Sequence, residues 1–294
     1  MFSGLVRSLK ANGTLETIAG VVDPAAPWWP ASGEALAVRF SGLVSGMVVD
    51  GEGNIFVADQ GLNRILKISK QPTTGPRTVT LIAGNKLGPE GSGSQGFTAD
   101  GVDLNDTTRL DQPGSLAFDL DGRLLFTELG NQRVRRIRDG KLETLVGLGT
   151  SLIHNIDLNC HTLYGTPKSV VPVSGASQPC VWPLGGLTVG PDGSVYFGEQ
   201  VDGAANGILR AVRPTGMLEL VVGHVTAAPA QWRGGALATT TNIKQAYNDL
   251  FFDGGSLFFG DKLLRQIRRV RPDGIVEEMM GLYYDSVLGG TCRS

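Results

Sequence analysis

The segment DQPGSLAFDLDGRLLFTELGNQRVRRIRDGKLETLVG, residues 111–147, divides into four short strands, expected at Gly114–Asp119, Arg123–Thr127, Arg133–Arg138 and Lys141–Val146. Asp121-Gly122 and Asp139-Gly140 separate the first pair and the last pair. Such dipeptides accept the positive backbone angles that a tight hairpin turn requires. Between strands two and three lies the polar loop Glu128-Leu129-Gly130-Asn131, ahead of Val134 and Ile137. Four antiparallel strands in so short a segment make a small sheet with two apolar faces. A sheet of that kind needs neighbours of its own type to bury both faces.

The chain supplies those neighbours. Residues 43–84 run LVSGMVVDGEGNIFVADQGLNRILKISK and on to TVTLIAG. Residues 183–223 and 247–281 follow the same plan, and RSLKANGTLETIAG at Arg7–Gly20 carries its second half. Asp50, Asp119 and Asp253 recur, as do Gly53, Gly122 and Gly193, and Ile65, Val134, Ile208 and Ile267. These segments resemble NHL repeats, each of which is one blade of a β-propeller. The resemblance implies an all-β propeller of four-stranded antiparallel blades in one domain, residues 1–294: a half-blade at 1–20, blades at about 43–84, 111–147, 183–223 and 247–281, and a tail at 282–294. Five blades fit this count best. Six would need a degenerate blade in residues 148–182, with strand material at Ser169–Val173, and an arc completed by a second chain, a homodimer closing the ring, is the third arrangement.

The glycines that close the repeats, Gly20, Gly84, Gly147, Gly223 and Gly281, are spaced by 64, 63, 76 and 58 residues. A four-stranded blade takes roughly 40–45. The surplus lies in linkers at about 21–43, 85–112, 148–182 and 224–246, whose Pro/Gly/Ser-rich pieces, such as DPAAPWWPASGE, read as long loops. Ala35–Phe40 and Gly96–Gly101 resemble the linkers between NHL repeats of bacterial multi-repeat proteins.

Composition narrows the function. With 42 glycines among 294 residues, 18% charged residues and a net charge of −2, the chain lacks the basic footprint of a nucleic-acid binder. Arginines crowd two third strands (Arg133, Arg135, Arg136 and Arg138; Arg265, Arg268 and Arg269), and the simplest expectation puts them on an exposed outer strand. No segment reads as a signal peptide or a membrane span. The opening halfway through a blade fits a piece of a longer secreted, periplasmic or surface protein. Cys160 and Cys180 share a linker and could form a disulfide or remain thiols; Cys292 makes the count odd.

Two constellations of candidate site residues stand out. The linkers hold every tryptophan, Trp28, Trp29, Trp182 and Trp232, and every histidine, His154, His161 and His224. Rigid aromatic rings and titratable imidazoles on one face are what a site for a small molecule or a protein uses. The second is a set of acids just after the second strands, Asp59, Glu128, Glu199 and Asp261. In NHL repeats this position is usually Asp and ties down the next turn. Several carboxylates facing a channel would hold a hard divalent cation, Ca²⁺ before others.

Tyr247–Asp253 and Leu257–Asp261 are similar to a segment of the gluconolactonase and senescence-marker-protein family. There the Asn is a metal ligand, which implies that role for Asn248. Ser45, Gly114 and Gly185 stand at the corresponding positions of the other blades, and the family's N-terminal ligand Glu has only Glu16 or Glu34 as a substitute. The peptidyl-hydroxyglycine lyases also resemble this chain in their repeats, but their zinc-binding His residues at the strand starts do not occur here. The spacing of His154, Cys160, His161 and Cys180 follows no zinc pattern, and GSGSQG reads as a loop tip.

Two functions follow as expectations. One is a binding propeller that uses the linker face and needs no cofactor. The other is a metal-dependent hydrolase of an ester, lactone or phosphate ester, with Asn248 and the acids holding the cation and His154, His161 or His224 as general base.

Overall fold

The computed structural model describes residues 4–29, 33–84, 96–105, 107–147, 171–172, 181, 183–201, 206–223, 235–241, 243, 249–262 and 264–281. The fold is an all-β propeller of four-stranded antiparallel blades. Among the described residues the strands are β1 (Val6–Leu9) and β2 (Leu15–Ala19); β3 (Val44–Val49), β4 (Ile55–Asp59), β5 (Arg64–Ile68) and β6 (Val79–Ala83); and β7 (Pro113–Phe118), β8 (Leu124–Glu128), β9 (Arg133–Arg138) and β10 (Lys141–Val146). Then follow β11 (Val171–Pro172), β12 (Pro183–Val189), β13 (Val195–Val201), β14 (Asn206–Val212), β15 (Met217–Val222), β16 (Leu250–Asp253), β17 (Ser256–Asp261), β18 (Gln266–Val270) and β19 (Val276–Gly281). Strands β3–β6, β7–β10 and β16–β19 each pair in sequence order. The sheet β12–β15 gains β11 outside β15, and β1–β2 form a two-stranded sheet.

The chain divides into two compact units. One holds Met1–Phe118, Gly122–Asn131 and Arg135–Thr144; the other holds Asp119–Asp121, Gln132–Val134 and Leu145–Ser294. In the first unit, β1–β2 pack on strands β4–β6 of the next sheet, with Val6, Ile18 and Ala19 in one core with Val57, Leu66, Ile68 and Val79. The other face of that sheet meets the following one through Phe56, Ala58, Ile65 and Ala83 against Leu116, Leu124, Phe126 and Leu142. In the second unit Leu209, Ala211 and Val222 pack on Leu257, Phe259, Val270 and Val276. The period-2 alternation of each strand thus fills both faces of a blade, as the repeat requires.

The turns follow their chemistry. Asp139 (φ 49°) and Gly140 (φ 71°) both take the left-handed region at the β9–β10 hairpin. The closing glycines matter for a different reason. Gly84 (φ 100°) and Gly147 (φ 112°) lie against the backbone at Asn63–Arg64 and Gln132–Arg133, where an added Cβ would collide.

The linkers carry more structure than loop composition indicates. Each described linker places a short extended piece on the outer edge of the blade that follows it. Glu34 bridges to Thr78, Asp103 to Lys141 and Leu237 to Ile275, and β11 pairs with β15 through Val171–Leu218 and Pro172–Met217. Single 3₁₀ turns at Ala35–Ala37 and Ala238–Thr240 come next, and the Ala35 and Ala238 carbonyls accept the N–H of the closing glycines Gly20 and Gly223. Phe40 and Ile243 then bridge back to Gly4 and Gly207 of the preceding sheet. A linker is therefore a strap across two blades that also covers an otherwise open sheet edge.

Candidate functional site

The four acids, expected just after the second strands, lie within them, in or near the last positions of β4, β8, β13 and β17, and each is buried. The partner is an arginine in every case. Asp59 and Arg64 stand opposite one another on β4 and β5, with Arg64 Nε and Nη2 each 3.0 Å from Asp59 Oδ2. Arg135 Nη1 lies 3.1 Å from Glu128 Oε2, Arg210 Nη1 3.3 Å from Glu199 Oε2, and Arg268 Nη1 3.7 Å from Asp261 Oδ2. Arg210 stands two residues beyond Ile208, which opposes Glu199, and Arg268 two beyond Gln266, which opposes Asp261. An arginine one strand repeat further away calls for a longer acid. Glutamate closes that gap better than aspartate does, in keeping with the wider separation at Asp261.

The free carboxylate oxygens hold the chain around them. Ser41 donates its N–H (3.1 Å) and its hydroxyl to Asp59 Oδ1. Glu128 Oε1 accepts from Asp111 N–H at 2.9 Å and from Asn131 Nδ2 at 2.7 Å. Leu264 N–H reaches Asp261 Oδ1 at 3.3 Å. Burial pushes the Asp59 and Glu128 carboxyls above the ordinary range, against the pull of Arg64 and Arg135, and it lowers the Arg64 guanidinium. The arginines in turn grip the linkers. Arg64 donates to the carbonyls of Trp28 (3.2 Å) and Arg39 (2.7 Å), and Arg135 donates to the Thr98 carbonyl (2.9 Å) and Asp100 (3.0 Å).

This corrects one sequence expectation. The arginines of the third strands are not all on a solvated face: Arg135 and Arg268 are fully buried, while Arg136 and Arg269 are half-exposed on Glu143 and Glu277. The Glu128 carboxylate reaches its arginine and the backbone of Asp111, an internal pairing that the sequence reading did not assign. Alternation could have found it, because Arg133 and Arg135 share a face opposite Val134. Among the described residues no group of three or more His, Cys, Asp or Glu is placed to hold a metal ion.

Of the tryptophans, Trp28 and Trp29 lie together, half-buried, on the first linker. The Arg39 guanidinium stacks 3.9 Å over the Trp28 ring and donates to the Pro24 carbonyl at 2.6 Å, and Trp29 packs on the core beside β1–β2. Trp182, Trp232, His154, His161, His224, Asn248, Cys160, Cys180 and Cys292 lie outside the described residues. Around Asp261, Lys262 and Gln266 there is an open cavity of about 520 Å³ that Asp249 and Met280 also line. A second, of about 410 Å³, lies between the β12–β15 and β16–β19 sheets beside Tyr196, Arg213 and Phe252.

Comparison with solved structures returns other propellers at low identity. A catalytically inactive virginiamycin B lyase from Staphylococcus aureus, crystallised with quinupristin, is 15% identical with a TM-score of 0.46, over 92% of this chain and 61% of the lyase. An auxiliary nutrient binding protein from Bacteroides ovatus is 13% identical, TM-score 0.43, over 83% of this chain and 49% of that one. A Xanthomonas campestris gluconolactonase is 15% identical, TM-score 0.40, over 89% of each chain. The chain thus spans about three fifths of the length of the lyase, and the likeness is one of fold. No family model and no curated protein matches the sequence. No helix among the described residues is long and apolar enough to cross a membrane.

Proposed function

We propose that this chain is a binding module, a propeller that presents its inter-blade linkers to a small-molecule or protein ligand. The observation that carries the reading is the use made of the acid set. Asp59 and Glu128 each neutralise an arginine that also holds linker carbonyls, so these charges stiffen the linkers. A stiff linker loses little conformational entropy when a ligand docks on it. The Trp28–Arg39 stack on the first linker supplies an aromatic face backed by a cation, a pairing common where binding energy concentrates.

The competing reading, a divalent-cation hydrolase, requires acids to exchange a buried guanidinium for a metal. It would draw further ligands from Asn248 and a base from the histidines. A thermal-shift screen of small molecules and peptides separates the two. Binding on the linker face predicts hits that survive EDTA and Asn248→Ala, and that are lost in Trp28→Ala with an unchanged basal melting temperature. Hits that vanish with chelator, or hydrolysis that does, would overturn the binding reading.

A further inference from the structure

We propose that the cavity of about 410 Å³ between the β12–β15 and β16–β19 sheets binds an uncharged aromatic molecule through a ketone, ester or amide oxygen. The cavity belongs to the second unit alone, whereas Trp28 and its linker belong to the first. It is therefore a site additional to the linker face.

The first unit contains the same joint, between the β3–β6 and β7–β10 sheets, and the two can be compared residue by residue. Leu104 N–H donates to the carbonyl of the turn glycine Gly140 at 2.8 Å, and Ala238 N–H donates to that of Gly274 at 2.8 Å. Three residues earlier in each linker, Gly101 and Gly235 donate to the Leu142 and Val276 carbonyls. Leu104 packs on the core of the first joint, whereas its counterpart Ala238 lines the cavity with a single methyl group. Val270 likewise lines the cavity where Ile137 packs in the first joint. Smaller side chains at fixed backbone positions leave volume behind.

The polar groups differ at the same joint. The carbonyls of Asn54 and Ser194 accept the turn N–H groups of Asp50 and Gly190, so Phe56 and Tyr196, two residues on, are counterparts. Both rings meet a phenylalanine edge-on, Phe56 with Phe118 at 5.2 Å and Tyr196 with Phe252 at 4.8 Å. The second pair alone carries a hydroxyl, and Tyr196 is buried. Arg213, the counterpart of Ser69, donates to the Tyr196 hydroxyl at 2.9 Å. A phenol oxygen that accepts a guanidinium N–H still has its own hydrogen to give. Among the described residues no acceptor takes it.

The chemistry of the walls selects the ligand. Tyr196, Arg213, Thr239 and Arg271 line the cavity with donors, and no carboxylate or carboxamide lines it. The arginines are already balanced, Arg213 by Glu219 (2.7 Å) and Asp192 (3.5 Å), and Arg271 by Glu277 (3.0 Å) and Asp273. A ligand carboxylate would bring a further negative charge to two arginines that four acids surround, whereas a neutral oxygen satisfies the donors without that repulsion. The Tyr196–Phe252 pair, with Leu220 and Leu257, forms the apolar wall that an aromatic body fills.

The test titrates the full chain with naphthyl methyl ketone and with naphthoate, followed by saturation-transfer NMR. The ketone should bind saturably, and the carboxylate roughly tenfold more weakly or worse. Tyr196→Phe, which introduces the residue of the first joint, should weaken the ketone by about three- to tenfold, the worth of one hydrogen bond. Ala238→Leu, which introduces the leucine of the first joint, should abolish saturable binding while the protein still melts cooperatively. Ketone affinity unchanged in either variant overturns the proposal, as does naphthoate binding as tightly as the ketone. A folded wild-type chain that binds no ketone overturns it too, since a segment of the chain itself would then fill the cavity.

Discussion

Asp50 and Asp59 stand at opposite ends of the second strand of one blade and meet opposite environments. Asp50 lies at the hairpin turn, where its Oδ1 accepts the N–H groups of Glu52 (3.0 Å) and Asn54 (2.8 Å) and its Oδ2 accepts Asn54 Nδ2 (2.8 Å). The slight burial there would raise its carboxyl, but the Asn54 side chain and the two N–H donors outweigh it and hold the group below the ordinary range. Asp192 repeats this on Ser194. At the other end, burial dominates and pushes Asp59 up despite Arg64. The turn acid shapes a hairpin by local hydrogen bonds in water. The buried acid fixes a non-local joint between a strand and a linker, and its charge is tolerable only while the arginine stays.

That contrast ranks the mutations. The largest loss should come from Arg135→Met, which leaves Glu128 as an uncompensated buried charge and frees the Thr98 carbonyl; about 3–5 kcal/mol of stability should go, measured by urea unfolding. The double variant Glu128→Gln with Arg135→Met should recover most of it, because replacing a whole buried pair is commonly neutral or better. If the single and double variants were equally unstable, the joint would owe its stability to packing alone.

The smallest effect belongs to the turn. Asp50→Ala should cost about 0.5–1.5 kcal/mol at neutral pH, the net worth of an ordinary hydrogen bond. Its pH dependence carries the sign. A carboxyl held low in the folded state stabilises above its unfolded value near 3.9 and loses that contribution as pH falls through the folded value. The wild-type advantage over Asp50→Ala should therefore shrink below about pH 4. Glu128 is shifted the opposite way, so wild type should gain relative to Glu128→Gln as pH falls toward its raised folded value. Parallel pH curves for the two variants would erase the distinction.

Much of this was legible in the residues. Asp-Gly turns and alternation placed β9 and β10 to the residue and β7 and β8 within one, since hairpin chemistry and period-2 burial are local. The equivalence of Asp59, Glu128, Glu199 and Asp261 was also visible, because it follows from repeat register. Their partners were not. Arg64 sits directly across from Asp59, whereas Arg210 and Arg268 sit one strand repeat further along from their acids, and nothing local announces that change of place. The carbonyls of Trp28 and Thr98 lie 36 and 37 residues from the arginines they accept from, beyond any pattern of adjacent residues. The linker bridges escaped for the same reason: Glu34 and Thr78 pair through backbone geometry, with no sequence mark of a strand.

The central claim, that the acid set holds arginines and linkers in place of a cation, is tested most directly by melting the purified chain in EDTA and then with Ca²⁺, Mn²⁺ or Zn²⁺. A cation at 100 times its dissociation constant would add about 2.7 kcal/mol, several degrees in Tm. The arginine-paired acids predict curves that superimpose in all four conditions. A rise of several degrees with one cation, abolished by Glu128→Gln, would contradict the account and bring the metal-dependent hydrolase forward.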